Sequence, residues 1–313
     1  MATKKNVTKP VEHKEEETLL GQNTVVTLTI PWNSIDTEYK KVLQTEAGKV
    51  QLAGFRKGKT PISLAESAIG KEKLMEHALQ HAIPEIYAKE LEAQGIVPLV
   101  NPEVKLLEAT EGKDFVIEAH TAVEPTVVLG DYKAIVKKAA RAASRAVPEP
   151  EMQSQVSGTK TKENKEVTDE KKPEEKEEEL LQAIYSGLII AIKPKVAPLL
   201  LQEEMRRQAE QMFSQISRLG MKDIKEYLER VGKTEEEFEQ DLASVALGAL
   251  QLEFILRALA KDMHIEATDE AIKEVFPEIA KWKNNAIPEN LRPQLEQAVI
   301  RKKVASALLK LST

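Results

Sequence analysis

One stretch constrains the folding of this chain more than any other, because it carries too little apolar surface to form a core. Residues 151–179 contain three aliphatic side chains, Met152, Val156 and Val167, among mostly charged and polar ones. Ordering a residue costs about 1–2 kcal/mol of backbone entropy, which buried apolar area must offset. We therefore expect a charged flexible linker between two folded domains, with a solvated helix near Lys171–Glu179 as the alternative.

The length and the ends of the chain agree with this division. At 313 residues the chain is long enough for two domains of ordinary size. Residues 1–20 form a polar extension that we expect to be disordered. The extension has no apolar run typical of a signal peptide, so the sequence predicts a cytoplasmic protein. Cysteine is absent, which excludes disulfides, thiolate catalysis and cysteine zinc sites.

Residues 21–137 show the pattern of an α+β domain. Apolar residues at alternating positions predict three strands, and apolar residues at helical spacing predict three helices between the first and second strands. The predicted strands are 24–30, 104–107 and 115–123, and the predicted helices are 35–51, 61–69 and a longer one that ends at Gly95. The last two strands flank Gly112, which predicts a hairpin.

Residues 180–313 show the pattern of an all-α domain, joined to the first domain by the linker 138–179 in an elongated molecule. Lys193 and Pro194 end the apolar run Leu180–Ile192 well short of the ~20 residues that a membrane span needs, so we predict a buried helix. Thr234–Glu237 is a capping box that opens a long helix. An apolar seam along this helix is predicted to pack against its neighbours. The seam comprises Phe238, Leu242, Val245, Ala249, Leu252, Leu256, Leu259 and Met263.

A short loop in the first domain places an aromatic ring and several cations between two predicted helices. Its sequence, Gly54–Pro61, is Gly-Phe-Arg-Lys-Gly-Lys-Thr-Pro. Gly54 and Gly58 can adopt backbone angles that other residues avoid, so they can hold the residues between them outward. Thr60 and Pro61 are typical of a helix start, with the threonine hydroxyl as the N-cap. The exposed aromatic ring between charges indicates a binding tip.

Two other interpretations apply to this loop. Gly58-Lys59-Thr60 resembles the end of a phosphate-binding P-loop, but Gly54 and Gly58 enclose three residues where that motif needs four. A helix, and no buried strand, is predicted before the loop, so we exclude nucleotide binding. The interpretation as a solvated basic turn without a binding role stays open, because exposed basic turns are common.

Four segments of the chain resemble bacterial trigger factor, the chaperone that docks at the ribosomal exit tunnel. They are Gly54–Pro61, Leu129–Tyr132, Gly232–Glu237 and Ile265–Glu270. The resemblance implies that 21–137 is a ribosome-binding domain and that the Phe-Arg-Lys triplet contacts a ribosomal protein beside the tunnel, with rRNA nearby. The implied ribosome-binding residues are Gly54, Phe55, Arg56, Lys57, Gly58, Lys59 and Pro61. The net charge of −6 means that any contact with RNA must be local to this loop.

The resemblance also implies that the helical domain is a cradle that holds nascent and unfolded polypeptides, and that the chain can form homodimers away from the ribosome. Flexible methionine side chains suit such a surface because they repack against many partners. The candidate client contacts are Met205, Met212, Phe213, Met221, Phe238 and Phe276. Core packing is the alternative for these residues, since an apolar stripe at helical spacing usually faces a core.

The chain departs from the family at the linker. Full-length trigger factors carry an FKBP-type prolyl isomerase domain there, and residues 151–179 lack the aromatic side chains of a proline pocket. We therefore expect an ATP-independent chaperone with no enzymatic activity and no cofactor. Three alternatives stay open: a client-specific assembly chaperone that works away from the ribosome, a residual prolyl isomerase, and an export chaperone.

The sequence offers one candidate metal pair. His77 and His81 have the i, i+4 spacing of zinc ligands on a helix, but Ala78 occupies the position where the metalloprotease motif needs glutamate. No third ligand is evident in the sequence. We therefore expect ordinary helix-surface histidines and no metal.

Overall fold

A computed structural model of the protein describes residues 19–56, 58–145, 173–218, 220–221, 223–281, 287–289 and 291–312. The chain divides into two compact units. The sheet unit comprises residues 20–124 and 197–207, and the helical unit comprises the other described residues.

The sheet unit contains a three-stranded antiparallel sheet. Its strands are β1 (Thr24–Ile30), β2 (Glu103–Glu108) and β3 (Phe115–Thr121), with β3 in the centre. Alternate residues of β1 and β3 are buried, as the period of two in the sequence predicts. The register places Leu28 of β1 and Leu106 of β2 on either side of Ile117, so these three side chains share one face of the sheet.

Three helices lie between β1 and β2 in the chain: α1 (Trp32–Ala47), α2 (Ile62–Ile69) and α3 (Lys71–Gln94). α3 contacts both α1 and β1, and side chains of α3 complete the core over β1 and β3. α3 ends at Gly95, whose left-handed backbone is the predicted C-cap. The predicted hairpin is confirmed, with the Lys113 N–H donating to the Thr110 carbonyl at 3.0 Å in its turn.

In the described part of the chain, the helical unit contains seven helices and one 3-10 helix. The helices are α4 (Tyr132–Arg145), α5 (Pro173–Ile192), α6 (Pro198–Arg218), α7 (Ile224–Val231), α8 (Glu235–Asp262), α9 (Asp269–Val275) and α10 (Arg292–Ser312), with a 3-10 helix at Pro277–Lys281. The first part of α6, to Arg207, belongs to the sheet unit. Side chains of α4, α5, α8 and α10 form the main core.

Side-chain caps define the starts of three helices in this unit. The Thr234 hydroxyl accepts from the Glu237 N–H at 3.1 Å, and the Glu237 carboxylate accepts from the Thr234 N–H at 2.9 Å. The predicted capping box of α8 is therefore confirmed. Asp223 and Thr268 cap α7 and α9 in a similar way.

The boundary between the units differs from the sequence-based division, which placed residues 21–137 in the first domain and 138–179 in a linker. The structure assigns Pro125 onward to the helical unit, because Tyr132, Val136 and Ala140 bury one face of α4 there. Residues 173–179 are helical, which agrees with the alternative of a helix near Lys171–Glu179. Residues 138–145 are also helical, as the end of α4, which differs from the flexible linker predicted there. Residues 146–172 and residues 1–18 of the predicted extension 1–20 lie outside the described residues. Leu19 of that extension is ordered, since its carbonyl accepts from the Val196 N–H at 3.1 Å.

The predicted seam of α8 is wrong in its first half. Val245 is 62% exposed and Ala249 is also exposed, whereas Ala246, Leu250 and Phe254 are buried. Nearly every position in this part of α8 is apolar or small, so the period alone could not select the face, and tertiary neighbours decided it. Among the described residues, α8 is the one helix long and apolar enough to cross a membrane, and 39% of that apolar window is buried inside the protein.

The reassigned face of α8 gives a test by stability. Leu250→Ala removes buried methyl groups and should cost about 2–4 kcal/mol of unfolding free energy. Val245→Ala, the matched control on the predicted seam, should cost less than about 0.5 kcal/mol because its side chain faces solvent. Urea unfolding followed by circular dichroism measures both, and equal losses would contradict the assignment.

A hydrogen bond between α4 and the end of α8 predicts a pH dependence. The Tyr132 hydroxyl donates to Asp262 at 2.9 Å. Burial is the main reason why the pKa of the Tyr132 phenol is raised, and the bond to Asp262 raises it further. A raised folded-state pKa stabilises the fold below the phenol's ordinary value, about 10, and that contribution is lost as the pH rises through the folded value.

We therefore expect the unfolding free energy of the wild type to fall above about pH 10, and that of Tyr132→Phe to fall less. Urea unfolding at pH values from about 8 to about 11.5 provides the measurement. Tyr227→Phe, which changes a half-buried tyrosine of α7, is the control and should follow the wild type. A Tyr132→Phe profile parallel to the wild type would overturn the prediction.

Candidate functional site

The loop Gly54–Pro61 lies between α1 and α2, as the sequence predicts, and two backbone turns shape it. The Phe55 N–H donates to the Leu52 carbonyl at 3.1 Å. The Lys59 N–H donates to the Arg56 carbonyl at 2.9 Å. Both bonds join residues three apart, so the segment makes two turns over a short distance.

The two glycines of the loop are required for different reasons. Gly54 has φ +89° and Gly58 has φ +74°, both in the region that other residues rarely adopt. A Cβ atom on Gly54 would meet nothing within 4 Å, so only its backbone angle favours glycine. A Cβ atom on Gly58 would lie 3.2 Å from the carbonyl oxygen of Gly48, just beyond the end of α1. Gly58 therefore also permits a close approach between the loop and α1.

The side chains at the tip are accessible. Phe55 is 39% exposed, although phenylalanine side chains are usually buried. Arg56 and Lys59 are also exposed. No ion pair joins Arg56 or Lys59 to another described residue. Lys57, the third member of the predicted triplet, lies outside the described residues. The loop thus offers an apolar ring beside positive charge that no described carboxylate pairs with.

The prediction that Thr60 caps α2 is wrong. α2 begins at Ile62, its N-cap is Pro61, and no side chain bonds to its first turn. Thr60 is 7% exposed, and its buried hydroxyl has no hydrogen-bond partner in the described part of the chain. Pro61 instead supplies its carbonyl, which accepts from the N–H groups of Leu64 and Ala65 at 3.0 Å each. Thr60 is therefore a packing residue that anchors the exit of the loop.

The six candidate client contacts are divided between the two units. Met205 belongs to the sheet unit, and the other five belong to the helical unit. Phe213 is 48% exposed, whereas Met205, Met212, Met221, Phe238 and Phe276 are half-buried. Phe276 packs against the buried cluster that contains Ile272 and Ile279, which favours the alternative of a core residue there.

Sequence reasoning missed exposed apolar residues of the helical unit. Val245, Ile190 and Val231 are all substantially exposed. Val245 fits the helical period of the predicted seam, so the sequence predicts a packed side chain where the structure has an exposed one. Exposed apolar residues such as Ile190 lie within strongly apolar runs, where periodicity does not distinguish an inner from an outer face.

The histidine pair of α3 lies beside charged residues of α1. His77 and His81 share a shallow surface pocket with Glu38 and Glu46. Among the described residues, no group of three or more His, Asp or Glu side chains is arranged to hold a metal ion.

Family models match almost the whole chain. The model described as bacterial trigger factor protein matches residues 12–147, and the model described as the bacterial trigger factor C-terminus matches residues 156–310. The second match begins within the segment 138–179 that the sequence analysis assigns to a linker.

Curated relatives and a solved structure agree with these matches. Trigger factors of Staphylococcus epidermidis and Macrococcus caseolyticus are each 36% identical over 115 residues, and that of Staphylococcus aureus is 33% identical over the same length. The aligned region spans 37% of this chain and 27% of each relative, so the chain matches about a quarter of their length. A structure from a study of promiscuous substrate recognition in the folding and assembly activities of the trigger factor chaperone has a TM-score of 0.58. It covers 93% of this chain and 98% of its own at 14% identity, which shows a similar fold.

The geometry of Gly58 predicts which glycine the loop tolerates least. Gly58→Ala combines a strained backbone with the close contact to Gly48, so it should cost about 2 kcal/mol or more. Gly54→Ala, the matched control in open space, should cost about 1 kcal/mol. Hydrogen exchange at the Phe55 and Lys59 amides and thermal unfolding measure the two effects. A larger loss in Gly54→Ala would contradict this description of the loop.

Proposed function

The chain belongs to the bacterial trigger factor family, and from this premise we propose that it is a chaperone that docks at the ribosomal exit tunnel and holds unfolded chains. The family models account for 12–147 and 156–310. The proposed chaperone works in the cytoplasm. We propose that it needs no ATP, because the P-loop-like sequence of the loop follows a helix and has the wrong spacing for a phosphate-binding loop.

One observation carries the proposed docking site. The loop between α1 and α2 exposes Phe55 and Arg56 on a backbone fixed by two turns and two positive-φ glycines. A tip of this kind combines an apolar anchor, which contributes affinity when it enters a pocket, with cations that attract an anionic surface. Its partners are a ribosomal protein at the tunnel exit and adjacent rRNA phosphates.

The proposed holding of unfolded chains is supported by exposed apolar side chains in the helical unit. Phe213 and Val245 are 48% and 62% exposed on two long helices. Isolated apolar contacts of this kind bind weakly and with little sequence preference, which suits a chaperone that must release its clients. Met212 and Met221 lie half-buried in the same unit and add adaptable surface.

We propose that the chain has no prolyl isomerase domain between its two family regions. Residues 148–155 separate the two matches, and eight residues are far too few for a folded domain. Chaperone activity would then depend on binding alone.

Co-sedimentation with 70S ribosomes tests the docking. The wild type should pellet with ribosomes at low salt and less so at high salt, because screening weakens exposed charge contacts. The triple variant Phe55→Ala, Arg56→Ala, Lys57→Ala should bind at least ~10-fold more weakly, because it removes the anchor and its cations together.

A matched control removes the same kinds of side chain elsewhere in the sheet unit. Val97→Ala, Lys105→Ala, Lys113→Ala truncates one exposed apolar residue and two exposed lysines outside the loop, and it should pellet like the wild type. Circular dichroism must show that both variants are folded. If the wild type fails to pellet, ribosome docking is wrong and a client-specific assembly chaperone becomes the leading explanation.

A further inference from the structure

We propose that one face of α4 is a second nucleic-acid site, which binds the phosphate backbone of double-helical RNA independently of the loop at Gly54–Pro61. The basic face of α4 comprises Lys133, Lys137, Lys138 and Arg141. The choice of RNA as the partner rests on the proposed function, which places the chain beside rRNA. The face itself lies in the helical unit, to which the proposed function assigns no contact with RNA.

The charges of α4 are all of one sign. The helix contains five lysine or arginine residues and no aspartate or glutamate. The net charge of −6 confines any RNA contact to a local basic surface, and α4 offers one outside the loop. Lys137 lies four residues from both Lys133 and Arg141, and like charges at this spacing destabilise a helix. A helix that keeps such pairs at the expense of stability indicates a role for the charges besides folding.

Cations of other helices are paired with carboxylates one turn away, whereas those of α4 are not. The pairs include Lys40–Asp36 in α1, Lys89–Glu85 in α3, Arg206–Glu203 in α6, Arg230–Glu226 in α7 and Arg257–Glu253 in α8. Within the part of the chain that the structure describes, no ion pair joins the basic face of α4 to a carboxylate. Asp131, directly before α4, instead accepts from the Ala134 N–H at 3.0 Å. The basic face is therefore suited to attract an external anion.

The opposite face of α4 fixes the helix in the core of the helical unit. Tyr132 and Val136 are buried in a cluster with side chains of α5, α8 and α10. The Tyr132 hydroxyl donates to Asp262 of α8 at 2.9 Å. A Cβ atom on Gly187 of α5 would lie 3.0 Å from the Ala139 Cβ atom, so α5 approaches α4 closely. The cations therefore extend from an ordered backbone, which lowers the entropy lost on binding.

The cations form a row along the exposed surface of the helix. At a rise of about 1.5 Å per residue, Lys133, Lys137 and Arg141 follow one another at about 6 Å along the helix axis. All three side chains are exposed, and so is Lys138. Lys137, Lys138 and Arg141 line one shallow surface pocket, whose other lining residues are alanines. Because alanine side chains are short, a phosphate backbone can lie between the cations without a steric obstacle.

The chemistry of the basic face favours RNA over a membrane or a protein. A helix that lies on a membrane buries large apolar side chains in the lipid, but those of α4 face the protein core. Protein interfaces depend on aromatic and large apolar anchors, whereas the exposed residues that the structure describes in α4 are lysine, arginine and alanine. Phosphate contacts need only cations.

The same composition favours a duplex over a single strand. Proteins that bind single strands usually stack bases on aromatic side chains. Tyr132 is the aromatic residue of α4, and its ring is buried. A duplex offers a dense row of phosphates and needs no stacking, so we assign double-helical RNA to the basic face of α4.

Binding of an RNA hairpin to the full chain tests the proposal. The probe is a fluorescein-labelled hairpin with a stem of about 16 base pairs, and anisotropy gives its affinity in the absence of ribosomes. The parent protein carries Phe55→Ala, Arg56→Ala, Lys57→Ala, so that the loop does not contribute. If four cations each meet one phosphate, the logarithm of the association constant should fall with the logarithm of the salt concentration with a slope of about −3 to −4. Single-stranded polyuridine should bind more weakly.

The variant Lys133→Ala, Lys137→Ala, Arg141→Ala removes three cations of the basic face. Alanine favours the helix and the substitutions relieve repulsion between like charges, so the variant should fold like the parent, which circular dichroism checks. It should bind the hairpin at least ~10-fold more weakly at low salt, and the magnitude of its salt slope should fall by about 3.

A matched control removes two lysines and one arginine that are exposed elsewhere in the helical unit. Lys225→Ala, Arg230→Ala, Lys233→Ala changes the net charge by the same amount, and each of these cations pairs with a carboxylate. This control should bind the hairpin like the parent. The variant Lys137→Arg, Arg141→Lys keeps both charges and should also bind like the parent, because either cation can contact a phosphate.

The outcomes separate this inference from the proposed function. If the α4 alanine variant binds the hairpin with the affinity and salt slope of the parent, the basic face is not an RNA site and the proposal is overturned. Failure of the parent to bind the hairpin at low salt also overturns it, and so does binding to phosphatidylglycerol vesicles without binding to the hairpin. Pelleting of the wild type with ribosomes reports docking through the loop, so docking can stand when the hairpin does not bind.

Discussion

The packing of helices on one face of the β1–β3 pair is the constraint on which both the loop and the exposed strand of the sheet unit depend. Buried side chains such as Leu28 and Ile117 fix α1 and α3 over these two strands. The end of α1 then sets the position of the loop, because Gly58 approaches Gly48 directly after that helix. The same packing stops short of β2, where Leu106 is 51% exposed. One layer of helices therefore both positions the basic loop and determines which strand of the sheet stays exposed.

Much of this fold could be predicted from the sequence because its signals are local. Alternating apolar residues gave the buried faces of β1 and β3, and Gly112 marked the turn of the hairpin. Thr234 and Glu237 identified the start of α8 by a contact between residues three apart. The shape of the loop could also be predicted from the sequence, since Gly54 and Gly58 have the positive φ angles that glycines at these positions suggest. Its role in binding stays a prediction.

The features that the sequence did not reveal depend on contacts between distant residues. Sequence reasoning divides α4 between the first domain and the linker, because the period of a helix does not identify which core its apolar face joins. Tyr132 and Val136 join the helical core. The helical period could not identify the exposed face of α8, because around Val245 this helix has apolar or small side chains on all of its sides.

The exposed strand β2 also has a consequence for self-association. An uncovered edge with apolar residues invites pairing with other strands, and natural proteins guard such edges with charges and bulges. β2 carries Glu103, Lys105 and Glu108, and its register shifts between Leu106 and Glu108. If two copies paired antiparallel along the full strand, Glu103 of one would face Glu108 of the other, and like charges directly opposite are destabilising. The charges of β2 therefore disfavour pairing between two copies of this strand, and they do not disfavour pairing with a strand of different sequence.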